Sequence, residues 1–362
     1  MFVAKIHTTS YDALPVKRAG ILLLCTIFFF AACTEHKHVG EKEVVAAPVD
    51  IDAAAADIIE TTLEDELDSN THLKNFVIFN PSIAEYIYEQ AAYKPIWSKK
   101  GVFAAAADSL FQFIADSRTY GLFPEDYYKE RLAQLKQLVT DTTKENKLDA
   151  SKWAEADLLF TAAFINIIKD IKMGRLVADS ISKTDTTLSP EFYHQQLQSF
   201  DGHMHQLAAS LEPTQPGYVD LKWALQEFLQ HASFADYTFI DTKDSLGLKD
   251  ALVKRLDEED SITFTTAQPD SAELALAIKR YQAEKGLKET GKASPGLYNS
   301  LNNTDNYKFA RIAINLDRYK QLQPLPQQYI WVNIPSYQLQ LWDSGIVVLT
   351  SKVVVGKPQT RT

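Results

Sequence analysis

Hydrophobic positions recur every three or four residues over most of this chain, and the pattern changes to strict alternation near its end. From about His72 to Ala232 the helical period dominates. Pro81 opens Ser82-Ile83-Ala84-Glu85-Tyr86-Ile87-Tyr88 as a first-turn proline. Leu110, Phe113 and Ile114 form one apolar stripe, which Tyr120-Gly121-Leu122 ends with a glycine stop. Pro124-Glu125-Asp126 predicts the opening of the next helix. Leu158, Ala162, Ile165, Ile168 and Ile171 make the longest stripe, between Trp153 and Met173, and it halts at Gly174. After the Pro213–Gly217 break, Leu221, Ala224, Leu225 and Phe228 repeat the period. These stripes predict a helical bundle.

Residues 246–304 are more finely cut. Leu252, Leu256, Leu274, Ile278 and Leu287 outline three short helices separated by polar turns. Beyond a further helical stretch at Arg311–Arg318, the period becomes two in Tyr329-Ile330-Trp331-Val332-Asn333-Ile334-Pro335 and Gln338-Leu339-Gln340-Leu341-Trp342. Asp343-Ser344-Gly345 then predicts a hairpin turn, and Val353-Val354-Val355-Gly356-Lys357 a further strand.

The first 32 residues stand apart. Lys17-Arg18 precedes an apolar run from Ala19 to Phe30, ending in Phe30-Ala31-Ala32-Cys33. A basic region, a short apolar core and a small-residue exit make a secretory signal. The run is shorter than the roughly 20 residues that span a bilayer. The four residues before and including Cys33 resemble a bacterial lipoprotein signal, which implies that Cys33 is the lipid attachment site. Residues 33–71 are Ala-, Val-, Asp- and Glu-rich without a large aromatic residue, and are expected to be a flexible tether.

Composition narrows the chemistry. With 37 Lys and Arg against 47 Asp and Glu, the net charge of −10 excludes a concentrated basic surface for nucleic acid. The chain has 2 cysteines, Cys25 and Cys33, so a disulfide framework and a cysteine zinc site are both excluded. His36/His38 make a poor metal pair because they are two exposed histidines on a mobile tether, and His203/His205 because alternate residues on a helix point apart and no third ligand is adjacent. No zinc-peptidase, serine-hydrolase or phosphate-loop motif occurs.

Two resemblances add to this reading. Ala277-Ile278, Tyr281-Gln282, Gly286-Leu287, Thr290-Gly291 and Leu301-Asn302 resemble the bacterial peptidoglycan-binding three-helix module. The motif residues are Ile278, Tyr281, Gln282, Gly286, Leu287 and Gly291. Ile278 and Tyr281 are expected in the core, with Gly286 as a left-handed cap over which Leu287 packs. Arg311-Ile312-Ala313-Ile314-Asn315-Leu316-Asp317-Arg318, Val332-Asn333-Ile334-Pro335 and Val353–Lys357 are similar to the start of the catalytic domain of the large, scaffold-bearing murein L,D-transpeptidases. Tyr93–Trp97, Tyr120–Tyr127, Met173-Gly174-Arg175 and Leu211–Tyr218 resemble the same family in the same order.

The fold expected is mainly α. A lipoprotein signal (1–32) and tether (33–71) precede a helical scaffold (72–245) and a peptidoglycan-binding-like module (246–304). The linker helix and first β-strands of an incomplete, β-rich catalytic domain follow (305–362). The resemblance implies 3→3 cross-linking of stem peptides through a cysteine acyl-enzyme, without a cofactor or metal. Its nucleophile sits in a Ser-x-Gly-Cys-x-Arg motif, which residues 1–362 lack, so no catalytic residue is assigned here and the chain alone is expected to be inactive. A fragment of a longer enzyme is the favoured explanation, and a non-catalytic peptidoglycan-binding lipoprotein the alternative. Peptidoglycan and, through the lipid, a membrane are the expected partners, with the protein exported across the inner membrane and lipid-anchored in the periplasm.

Overall fold

The computed structural model describes residues 37–68, 80–141, 143–177, 188–322 and 325–356, all within one compact unit, His36–Thr362. Thirteen helices and three strands follow one another among them. The first nine helices are α1 (Ile51–Leu67), α2 (Pro81–Gln90), α3 (Ala105–Asp116), α4 (Lys129–Thr140), α5 (Lys144–Lys147), α6 (Ala150–Met173), α7 (Pro190–Ser199), α8 (Met204–Leu211) and α9 (Pro216–Leu229). Then come α10 (Leu248–Asp257), α11 (Ser271–Glu284), α12 (Pro295–Asn302), α13 (Asp305–Lys320), β1 (Gln328–Asn333), β2 (Gln338–Asp343) and β3 (Ile346–Lys352). The chain is mainly helical with one small antiparallel sheet, as its periodicity predicts.

α6 is the axis of the bundle. The Asp149 carboxylate accepts a hydrogen bond from the Ser151 amide and caps its start, and Gly174 ends it. Every residue of its predicted stripe is fully buried, and so are Phe160, Phe164 and Ile167 on its other faces. A helix apolar nearly all round must be covered all round. α1, α2, α3, α4 and α8 provide that cover.

Part of the stretch expected to be a flexible tether is instead a packed helix. Residues 51–67 form α1, whose Ala55, Ile58, Ile59 and Leu63 lie buried in the same core as α6. The stretch ahead of it is also tied down: the Val45 amide donates to the Leu148 carbonyl at 2.9 Å and the Ala150 amide to the Glu43 carbonyl at 2.7 Å. The stripe is built from Ala and Ile rather than aromatics, and an acidic opposite face hides it in the composition. A smaller difference lies at Pro124–Tyr127, a single 3₁₀ turn. α4 begins only after it, at Lys129.

α10, α11 and α12 pack around a second core, in which Leu252, Leu256, Ile278, Tyr281, Leu297 and Leu301 meet Ile240. Ile240 precedes the expected boundary at 246. Its amide donates to Asn302 Oδ1 at 3.0 Å, and Asn302 Nδ2 returns a 2.9 Å bond to its carbonyl. α13, expected as a linker, instead packs on α9 through Phe309, Leu316, Tyr218 and Leu225.

β1, β2 and β3 form an antiparallel meander in that order, with Ile330 opposite Leu341 and Trp331 opposite Gln340. Ser344 and Gly345 both have positive φ (49° and 81°), the geometry a tight two-residue hairpin requires. The third strand comes earlier than predicted. Ile346–Lys352 pairs with β2, whereas residues 353–356 lie beyond the strand.

Candidate functional site

Segments that are far apart in sequence converge on α13. Asp317, on its buried face, accepts a hydrogen bond from the Arg175 amide at 2.8 Å. The Lys320 ammonium, with no exposed side-chain surface, bridges the Asp317 carboxylate and the Asp170 carbonyl, each at 2.9 Å. That carbonyl, in the last turn of α6, also accepts the Gly174 amide at 3.1 Å, and the ammonium adds a second donor at the helix end where a cation offsets the dipole. Gly174 (φ 77°) has no Cβ to press on Asp317, which would lie 3.3 Å from one. Gly121 (φ 71°) does the same for Leu316, whose Cδ1 would lie 2.8 Å from an added Cβ. Tyr120–Tyr127, Met173–Arg175 and the Asn-Leu-Asp-Arg stretch are thus parts of one joint.

Leu211–Tyr218 belongs to it as well. Tyr218, buried on α9, donates to Glu212 Oε1 at 2.6 Å and meets the Tyr319 ring edge-on. Burial, helped by the Glu212 charge, raises its phenol well above the ordinary tyrosine range. At Gly217 a side chain would overlap the Tyr319 hydroxyl. Tyr319 in turn stacks on Trp331 of β1, with ring centroids 6.1 Å apart and planes 4° from parallel. The joint therefore carries the sheet on its outer side.

Tyr93–Trp97 serves a second joint, inside the bundle. The buried Asp157 carboxylate of α6 accepts from the Ile96 amide (2.8 Å), the Trp97 amide (2.9 Å) and the Tyr88 hydroxyl (2.8 Å). Trp97 Nε1 donates to Thr161 Oγ1 at 2.9 Å. Burial raises the Asp157 carboxyl to about 6, against the three hydrogen bonds that favour its ionised form.

The motif residues of the three-helix module are structural. Ile278 and Tyr281 are buried in its core, Gly286 adopts φ 65°, and Leu287 packs against the cluster. The Leu287 amide donates to the Gln282 carbonyl at 2.7 Å. The buried Gln282 side chain clamps the following turn: Oε1 accepts from the Gly291 amide at 2.9 Å, and Nε2 donates to Thr290 Oγ1 at 3.1 Å. Gly291 (φ 66°) lies where a Cβ would crowd the Ala275 carbonyl. Cys33 and His36 lie outside the described residues.

Beside this module, between α10–α12 and the start of α13, is a cavity of about 330 Å³. Arg255, Glu259, Tyr281, Lys285, Ser300 and Lys308 line it. Arg255 is buried, with its guanidinium 4.0 Å from the Tyr237 ring centroid and Nη2 2.8 Å from Glu259 Oε1. None of its charged residues belongs to the resemblance motif, and the sequence shows only the i,i+4 spacing of Arg255, on α10, and Glu259, just beyond its end.

No cluster of three or more His, Cys, Asp or Glu able to hold a metal occurs among the described residues. His203 and His205 diverge: His203 precedes α8, while the His205 ring packs 5.0 Å from Phe113 and its Nδ1 lies 3.2 Å from the Tyr120 hydroxyl. His38 Nδ1 lies 2.8 Å from Asp65 Oδ2. No described helix is long and apolar enough to cross a membrane.

Residues 83–225 match a protein-family model described as a Scaffold domain. The match takes in α2 to α8 and most of α9, including both partners of the Asp157 joint and Gly121, Gly174 and Tyr218, the seat of α13. No curated protein matches the chain.

Proposed function

We propose that this chain is the scaffold and wall-binding part of an exported, lipid-anchored murein L,D-transpeptidase, which forms 3→3 cross-links in peptidoglycan. The observation that carries the reading is the convergence on α13. Three of the upstream segments that resemble the family meet a fourth there, and the Scaffold domain match covers all three. The scaffold holds a helix whose end stacks on the first strand, as a frame that positions a catalytic sheet would do. The module of α10–α12 supplies attachment to the wall, and Cys33 the lipid.

The chemistry proposed is attack by a thiolate on a stem-peptide carbonyl, stabilised by backbone amides, and acyl transfer to a second stem peptide's amine. Residues 34–362 contain no cysteine, so that nucleophile must come from outside them. The same observation favours a second reading, a peptidoglycan-binding lipoprotein without chemistry of its own.

The intact mass of the native protein separates the two. A mass well above that of residues 33–362, with peptides from a Ser-x-Gly-Cys-x-Arg region, supports the enzyme, whereas a mass equal to lipidated Cys33–Thr362 supports the binding protein. Sedimentation with purified sacculi tests what both share. Failure to co-sediment overturns the wall-binding assignment, and cross-linking by residues 34–362 alone overturns the assigned chemistry.

A further inference from the structure

The cavity beside the three-helix module has more hydrogen-bond donors than its own acceptors use. Arg255 spends Nε on the Leu301 carbonyl at 3.3 Å and Nη2 on Glu259, while Nη1 is buried without a partner. A buried guanidinium nitrogen left without an acceptor costs free energy unless something supplies one. The Tyr281 hydroxyl and Ser300 Oγ lie 2.9 Å apart. One such contact uses one hydroxyl hydrogen, and the other remains to be donated. Lys285 is 3.4 Å from Glu259 and Lys308 is 2.9 Å from Asp305, yet both side chains are nearly half exposed and keep N–H groups free. Three cations face two carboxylates, in a protein whose net charge is −10. A locally positive, donor-rich recess suits an anion with two acceptor oxygens in one plane, the geometry an arginine and a flanking lysine recognise.

We propose that this cavity binds a carboxylate and, resting on the wall-binding reading above, that the ligand is the free carboxylate of a peptidoglycan stem peptide. The cavity draws Arg255, Tyr281, Lys285 and Ser300 from the module and Lys308 from α13, so the bound peptide bridges the wall-binding module and the helix that carries the sheet. Arg255 lends its positive charge from the floor, and the two half-exposed lysines hold the carboxylate from the rim.

The test is calorimetric titration of the purified protein with the tripeptide L-Ala-γ-D-Glu-meso-diaminopimelate, with its fully amidated form, and with inorganic phosphate. Saturable binding of the tripeptide is expected, weakened at least tenfold by amidation and at least tenfold in the surface double variant Lys285→Glu/Lys308→Glu. Lys249→Glu, an exposed charge reversal on α10 outside the cavity, should leave it unchanged. Absence of tripeptide binding, equal affinity for the amidated peptide, or unaltered affinity in the double variant overturns the proposal. Phosphate binding as tightly as the tripeptide overturns the peptide assignment. Sacculus sedimentation separates the two claims. A double variant that keeps full affinity for both sacculi and tripeptide sinks the cavity alone, and a protein that binds tripeptide but not sacculi sinks the wall-binding reading alone.

Discussion

α6 and the β1–β3 meander are both rich in large apolar residues, yet they meet opposite fates. On α6 the apolar side chains are buried on every face, between helices that arrive from as far back as residue 51. The meander has a lined face and a bare one. Tyr329 stacks on Trp342 at 5.8 Å and Trp331 on Tyr319, whereas Ile330, opposite in the pleat, is 62% exposed, and Val332, Val348 and Leu349 are exposed with it. Hydrophobic content says only that a surface seeks cover. Whether it finds cover depends on what packs against it.

That contrast can be broken by mutation. The largest effect is expected at the axis: Phe164→Ala removes a fully buried ring between Trp97 and Phe200 and should cost about 3–5 kcal/mol, read from urea unfolding. A loss under about 1 kcal/mol would mean that α6 is not the tightly packed centre. Next comes the α13 joint. Asp317→Ala strands the buried Lys320 ammonium and the Arg175 amide, for an expected loss of about 3 kcal/mol. If the sheet is carried by that joint, the variant should also quench or shift the Trp331 fluorescence before global unfolding.

Asp157 provides a pH-dependent comparison within the scaffold. Its carboxyl stands at about 6 when folded against an ordinary 3.8, so folding takes up a proton between those values. Its contribution to stability therefore grows as pH falls from about 6 towards 4 and is flat above 7. The amplitude is of order 2 kcal/mol. Asp170, also raised by burial, acts in the same direction, so the readout is the difference between wild type and Asp157→Asn across pH 4–7. Parallel melting profiles would contradict the assignment. The smallest effect belongs to the bare face: Ile330→Thr should change stability by less than about 0.5 kcal/mol. A loss above 1 kcal/mol in the native protein would show that another element covers this face there.

Much of the fold was legible beforehand because the signals are local. Pro81, Gly174 and Ser344-Gly345 punctuate the chain where backbone geometry demands them, and the α6 stripe repeats for about four turns. The exceptions have physical causes. α1 is hidden in the sequence because an Ala/Ile stripe beside an acidic face has the composition of a tether. The start of the third strand is ambiguous in sequence because Val353–Val355 reads as well for β as Ile346–Leu349 does, and the tight turn after Asp343 decides the register. Of the candidate sites, the module motif could be read in sequence, but it turned out to be core and turn clamp. The cavity beside it is built from charges spread over residues 255–308, and no short spacing connects them.

The sequence alone determined the helical class, the positions of most caps and turns, the hairpin, and the lack of a cysteine in residues 34–362. Each of these depends on the residue itself or on neighbours within a turn or two. Only the tertiary structure decided that α13 belongs with the scaffold and that Gly121, Gly174 and Gly217 are glycines because it lies against them. It alone placed Arg255, Lys285 and Lys308 around one cavity. Those facts depend on which surfaces meet, and burial and close approach between distant segments are properties of the packed chain rather than of any stretch of it.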